Sequence, residues 1–201
     1  MSMTEGIAGT MALARAEPDW EERLPMDADA VFASFQAAAL SLPAIILSAE
    51  AARRALVALP EAGDAVAASS PFFVVTGSVV GALASWAASL FLLTRLAARS
   101  GKGWRVSPLI VAYNWSRLVT NLILGVIAAA AILLSAWPVM AFAGLVKVIL
   151  VLWFDLMVVR GSLALTTGQA VGAIAMVVLA RGAAILLCDV LFRLGAGVFQ
   201  V

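Results

Sequence analysis

The stretch VAYNWSRLVTN, residues 111–121, places one arginine and two asparagines near the start of a long apolar run. This polar patch stands out because 64% of the 201 residues are hydrophobic and only 12% are charged. Both values lie far from the averages of soluble proteins, so most of the chain is expected to lie in lipid. The composition therefore predicts an all-α integral membrane helical bundle.

The polar residues of this stretch share one face of a helix. Tyr113, Arg117 and Asn121 recur at spacing four, and Asn114 lies three residues before Arg117. In one interpretation, Tyr113 and Arg117 meet lipid phosphates near the cytoplasmic surface. In the other, Arg117 and Asn121 reach into the bundle and bond other spans. Helical rise places Asn121 about 20 Å beyond Pro108, which is deep for a headgroup contact.

Five apolar segments have the roughly 20 residues that a membrane-spanning helix needs. They cover about 31–52, 72–96, 110–135, 139–160 and 170–194. Pro43 is expected to kink the first helix, and PEAGDAVAASSP, residues 60–71, is predicted to be a loop. The bundle then occupies residues 31–201.

Residues 1–30 form an acidic N-terminal segment. A short helix is predicted near residues 5–16, either solvated or lying on the membrane surface. Asp27 or Asp29 is suited to cap the helix that follows, because a carboxylate there accepts hydrogen bonds from free amide groups.

Basic residues in the short loops predict the orientation. The loop after the second span carries four of them, whereas the loop SAWPVM after the third span carries none. The four are Arg95, Arg99, Lys102 and Arg105. Placing them in the cytoplasm gives an N-in, C-out arrangement. Arg53 and Arg54 then lie on the outer side, partly balanced by nearby acidic residues.

The second span carries a ridge of small residues at spacing four, namely Gly77, Gly81, Ser85 and Ser89. Such a ridge lets two helix backbones approach closely in a membrane, where burial of apolar surface no longer drives association. The ridge is expected either to pack against another helix of the same chain or to form the seam of a dimer.

Four ionisable residues lie within the last two predicted spans: Lys147, Asp155, Arg181 and Asp189. In an antiparallel hairpin, residues equally distant from the turn lie at equal depth. Gly168, in the middle of the predicted turn, lies midway in the sequence between Lys147 and Asp189. It also lies midway between Asp155 and Arg181. We therefore expect two interhelical ion pairs. The alternative is an ion or proton path, although carboxylates already matched to bases are poor proton carriers.

One resemblance to a known family rests on the order of sequence features. An N-terminal segment precedes a first helix VFASFQAAALSLP, a basic GKGWR loop and the stretch VAYNWSRLVTNLILG. This order resembles small bacterial membrane proteins with a five-span arrangement similar to the Yip1 family. It covers about residues 30–195 in topology, and its sequence likeness lies around 101–125. The resemblance implies a five-span, N-in protein, expected here in the bacterial inner membrane. Yip1-like proteins are associated with membrane organisation and trafficking in eukaryotes, whereas their bacterial relatives have no settled activity, and the resemblance supplies no catalytic residues.

The sequence disfavours catalysis and bound cofactors. Histidine is absent and Cys188 is the only cysteine, so the chain alone cannot form a disulfide, a zinc cluster or an imidazole-ligated haem. No catalytic motif is found, so catalytic residues, metals and cofactors are not expected. The net charge of +1 gives no field that would attract nucleic acid.

Two classes of function remain. The first is a structural or accessory subunit that contacts membrane lipids and packs as a homo-oligomer or within a larger complex. The second is a small transporter or channel that uses the charged last hairpin. Short outer loops and matched charges favour the first class.

Overall fold

The computed structural model describes residues 2–59 and 70–198, with side chains described as far as Phe192. All regular elements in this part of the chain are helices. Five helical segments are long and apolar enough to cross a membrane: Ala28–Val57, Pro71–Arg99, Gly103–Leu133, Pro138–Ser162 and Thr167–Phe192. The predicted all-α bundle with five spans is confirmed. The predicted loop at 60–71 lies almost entirely outside the described residues.

The helices are numbered here in chain order. The first part of the chain forms α1 (Met3–Ala14), α2 (Trp20–Arg23), α3 (Ala28–Ser34) and α4 (Gln36–Val57). The second part forms α5 (Pro71–Arg99), a 3₁₀ turn (Gly103–Arg105), α6 (Val106–Leu133), α7 (Pro138–Ser162) and α8 (Thr167–Val198). Together α3 and α4 make the first span. Its interruption falls at Phe35, and α4 runs through Pro43 as one helix.

Local sequence signals account for several helix starts. The Ser2 side chain accepts a hydrogen bond from the Glu5 amide, and Glu5 accepts one from the Ser2 amide at 2.8 Å, which makes a capping box. The bond from the Ser2 amide holds the pKa of Glu5 below its ordinary value. Asp27 caps α3 by accepting a bond from the Ala30 amide at 2.6 Å, as its sequence position predicted. Prolines begin α5 and α7, where their missing amide hydrogen costs nothing.

Helix α6 is the centre of the bundle. It packs against α1, α3, α4 and α7, while α5 packs mainly against α8 and also against α4. Every residue from 111 to 118 is buried, so the N-terminal half of α6 is enclosed by protein on all sides. The stretch VAYNWSRLVTN therefore lies where polar side chains face other helices rather than lipid.

The N-terminal helix α1 packs on one end of the bundle against α6 and α7. A Cβ atom at Gly6 would collide with the Trp115 ring, and a Cβ at Gly161 would collide with Leu13. The lack of a side chain at these two glycines therefore allows α1 to pack closely against α6 and α7. The expected helix exists, but it is not a fully solvated helix, because its small residues and Leu13 are buried against the bundle.

The hairpin between α7 and α8 turns earlier than predicted. Helix α7 ends at Ser162 and α8 begins at Thr167, with Ala164 in the left-handed region at φ 46°. Gly168 lies within α8, so the assumption that it marks the centre of the turn is wrong. Asp155 consequently lies several residues closer to the turn than Arg181 does.

Candidate functional site

A cluster of charged side chains lies inside the bundle and is centred on Asp155, whose side chain is only 2% exposed. Arg117 Nη2 from α6 donates a hydrogen bond to Asp155 Oδ1. Arg181 Nη1 from α8 lies 2.7 Å from Asp155 Oδ2, an ion-pair distance without hydrogen-bond geometry. One carboxylate on α7 thus joins two guanidinium groups from the helices on either side of it in the sequence.

Arg181 also bonds two polar side chains that are themselves buried. Its Nε donates to Ser89 Oγ at 2.8 Å, and its Nη2 donates to Tyr113 Oη at 2.7 Å. The Arg117 guanidinium carbon lies 4.6 Å from the centre of the Tyr113 ring, in the range of a cation–π contact. Arg117, Asp155, Arg181, Tyr113 and Ser89, called here the charge cluster, connect α5, α6, α7 and α8.

Side-chain direction explains how residues at different depths meet. A helical side chain leans toward the N-terminus of its own helix. Arg117 and Arg181 therefore lean toward the end of the bundle where α6 and α8 begin, which is also where α7 ends. By helical rise, the Arg181 Cα lies about 10 Å farther from the turn than that of Asp155. The long Arg181 side chain extends back toward the turn and so spans part of this gap.

The charge cluster contains more hydrogen-bond donors than acceptors. Two guanidinium groups face a single carboxylate, and the buried Arg117 Nε has no hydrogen-bond partner among the described residues. The Tyr113 hydroxyl accepts from Arg181, which leaves its own hydrogen without an acceptor in the described hydrogen bonds.

A second polar contact lies next to the charge cluster on α6. Asn114 Oδ1 accepts a hydrogen bond from Trp86 Nε1 at 2.9 Å, and Asn114 Nδ2 donates to Ser34 Oγ at 2.9 Å. All three side chains are buried. Asn114 therefore links α5, α6 and α3 through one amide group. Ser34 and Trp86 had no visible signal in the sequence, because nothing in a single chain pairs them with residue 114.

The predicted polar face of α6 is interhelical in this structure. Tyr113 and Asn114 are fully buried and Arg117 is 8% exposed, which excludes contact of these side chains with lipid phosphates. Asn121 is half-buried and takes part in no hydrogen bond found among the described residues. Of the two interpretations, the internal one describes Arg117 but not Asn121, which lies one turn farther along the helix.

The basic loop before α6 bonds the end of α7. Lys102 Nζ donates to the carbonyl oxygens of Leu163 and Ala164, both at 2.7 Å. Arg105 Nη1 donates to those of Gly161 and Ser162 at 3.1 Å. Helix C-termini carry unpaired carbonyl groups and partial negative charge, so both cations stabilise this end of α7.

The structure brings together one of the two expected ion pairs of the last hairpin. Asp155 and Arg181 meet, and Arg117 shares the same carboxylate. No ion pair joins Lys147 to Asp189 in the part of the chain that the structure describes, and Lys147 is exposed. The reason is packing, because α8 lies mainly along α5 and contacts α7 less extensively.

The small-residue ridge of α5 faces α8 within the same chain at two of its four positions. A Cβ at Gly77 would lie 3.6 Å from the Phe192 ring, an ordinary contact distance, and Ser89 bonds Arg181. A Cβ at Gly81 would meet no atom within 4 Å, and the Ser85 hydroxyl bonds its own helix. The ridge therefore does not produce the tight backbone contact expected of it.

Comparison with known proteins found no match among protein families, curated proteins or solved structures. Within residues 2–59 and 70–198, no three side chains of His, Cys, Asp or Glu lie together as a metal site would require.

Proposed function

We propose that this chain is a non-enzymatic, structural or accessory subunit of the bacterial inner membrane, which packs as a homo-oligomer or within a larger membrane complex. Membrane lipids are its other partners. The resemblance to the Yip1 family supports an N-in orientation and supplies no catalytic residues. The charges inside the bundle support a structural role, because Asp155, Arg117 and Arg181 bond helices to one another.

The observation that carries the proposal is the position of Lys147. It lies about 14 Å along α7 from Pro138 by helical rise, near the middle of the helix, and its side chain is exposed on the bundle. No described acid pairs with it. A cation on the lipid-facing side of a span is costly. A carboxylate from another subunit would offset that cost by pairing with Lys147. Without such a subunit, the long lysine side chain would have to extend toward the lipid headgroups.

The first experiment is extraction of the native membrane in a gentle detergent, followed by size determination and mass spectrometry of the proteins that co-migrate with this chain. A stoichiometric oligomer or larger complex is expected. Lys147→Gln should release the chain from that complex, whereas Arg160→Gln, which removes an exposed cation at the end of the same helix, should not. A monomeric wild-type chain, or a complex unaffected by Lys147→Gln, would contradict the proposal.

A small transporter or channel is the second candidate, and the surplus of donors in the charge cluster favours it. If the chain conducts ions, purified protein in lipid vesicles should produce ion flux above that of empty vesicles. Arg181→Gln should reduce that flux, and Arg95→Gln should leave it unchanged. Equal flux in protein-containing and empty vesicles would exclude this candidate.

A further inference from the structure

We infer that the charge cluster is a binding site for a small monovalent anion such as chloride. The inference does not depend on the accessory role proposed above. It starts from charge: two arginines and one aspartate leave one positive charge in excess inside the membrane-spanning bundle. Buried charges are stable only when they are paired and hydrogen-bonded. A monovalent anion balances this excess.

The hydrogen-bond donors point to the same ligand. Arg117 is 8% exposed, its Nε is buried, and that Nε has no partner among the described residues. The Tyr113 hydrogen is also free to donate, because Arg181 already donates to the Tyr113 oxygen. An anion accepts several hydrogen bonds and carries no donor of its own, so it suits a group of side chains that is rich in donors.

Burial limits the size of the ligand. The side chains of Arg117 and Arg181 remain 10% and 14% exposed, and that of Asp155 is 2% exposed. Ser89 and Tyr113 are fully buried. The cluster thus opens to the surface only at the edges of its two arginines. This limited access favours a halide over a bulky organic anion.

The test measures thermal unfolding of the full-length chain in a non-ionic detergent through its tryptophan fluorescence. Sodium chloride replaces sodium gluconate at constant ionic strength, so that only the size of the anion changes. We expect a saturable rise in Tm, of about 5–10 °C at a hundredfold excess of chloride over its Kd. An identical Tm in chloride and gluconate would show that the cluster binds no small anion.

Three variants separate binding from general stabilisation. Asp155→Asn removes the only carboxylate of the charge cluster. The half-saturating chloride concentration should therefore fall by at least about tenfold, or the variant should require chloride to fold. Arg181→Gln removes the excess charge and should abolish the chloride effect. Arg95→Gln, a change of the same kind outside the cluster, should retain it. A purely structural cluster would leave the half-saturating chloride concentration unchanged in Asp155→Asn.

A further variant guards against loss of folding in the charge variants. Tyr113→Phe keeps the ring beneath Arg117 and removes only the hydroxyl group. It should raise the half-saturating chloride concentration severalfold. An unchanged value in Tyr113→Phe, together with Asp155→Asn and Arg181→Gln chains that unfold in both salts, would overturn the inference.

Discussion

At the scale of single residues, polar side chains in this membrane protein lie where α6 is enclosed by other helices. Asn114 and Arg117 are costly in lipid, but here each has partners on neighbouring helices. Removing one member of a buried ion pair typically costs about 3–5 kcal/mol, because the other charge is left unpaired. Asp155 is therefore the residue on which the charge cluster most depends.

Asn114 and Asn121 provide a matched test of this enclosure. Asn114→Ala leaves Trp86 Nε1 and Ser34 without their partner and should lower the free energy of unfolding by about 1–3 kcal/mol. Asn121→Ala, on the same helix but without a described hydrogen bond, should change it by less than about 0.5 kcal/mol. Unfolding in detergent measures both. Equal losses in the two variants would show that the Asn114 bonds contribute nothing specific.

At the scale of helices, the ridge of small residues on α5 makes no tight contact at Gly81, whereas Gly125 of α6 lies tightly against Ala44 of α4. A Cβ at position 125 would lie 2.7 Å from the Ala44 Cβ and 3.0 Å from its Cα. A backbone atom cannot move aside as the tip of a flexible side chain can. The absence of a side chain at Gly125 therefore sets the distance between these helices.

This difference predicts opposite effects of the same substitution at two glycines. Gly125→Ala should lower the free energy of unfolding by about 1–3 kcal/mol, because it forces α4 and α6 apart. Gly81→Ala on α5 meets open space and should be neutral or stabilise the helix by up to about 1 kcal/mol. Thermal unfolding of both variants in one detergent is the measurement. A loss at Gly81 larger than that at Gly125 would contradict the packing described here.

At the scale of the whole molecule, one end of the bundle is closed by segments from distant parts of the chain. Helix α1 covers the ends of α6 and α7, and the basic loop bonds the end of α7. Arg105 also pairs with Glu21 at 2.7 Å and so connects the loop to the N-terminal segment. The N-terminal segment is therefore part of the folded bundle rather than an appendage to it.

The proposed N-in, C-out orientation predicts which loops react from outside the cell. In a Cys188→Ala background, a cysteine at Ser100 should resist a membrane-impermeant thiol reagent applied to intact cells, and one at Ala136 should react. The basic loop carries the positive charges that favour the cytoplasm. Permeabilised cells provide the control, because both cysteines should then react. Labelling at Ser100 alone in intact cells would reverse the orientation.

The sequence by itself determined the class of fold and the approximate extent of all five spans, because the length of an apolar segment and the prolines around it act locally. Asp27 as a helix cap was predictable for the same reason. The meeting of Asp155 with Arg181 was also expected from the sequence, although the turn was placed too late by a few residues. Each of these inferences uses only residues that are near one another in the chain or within one hairpin.

Only the tertiary structure decided which side chains share a site. Arg117 joins Asp155 because α6 packs beside α7, and Ser89 joins Arg181 because α8 packs along α5. Lys147 is not paired with Asp189 for the same reason. Contacts between distant segments depend on how helices are arranged in three dimensions, and periodicity along one helix carries no information about its neighbours. The polar stretch in α6 was visible in the sequence, but its enclosure by the other helices was not.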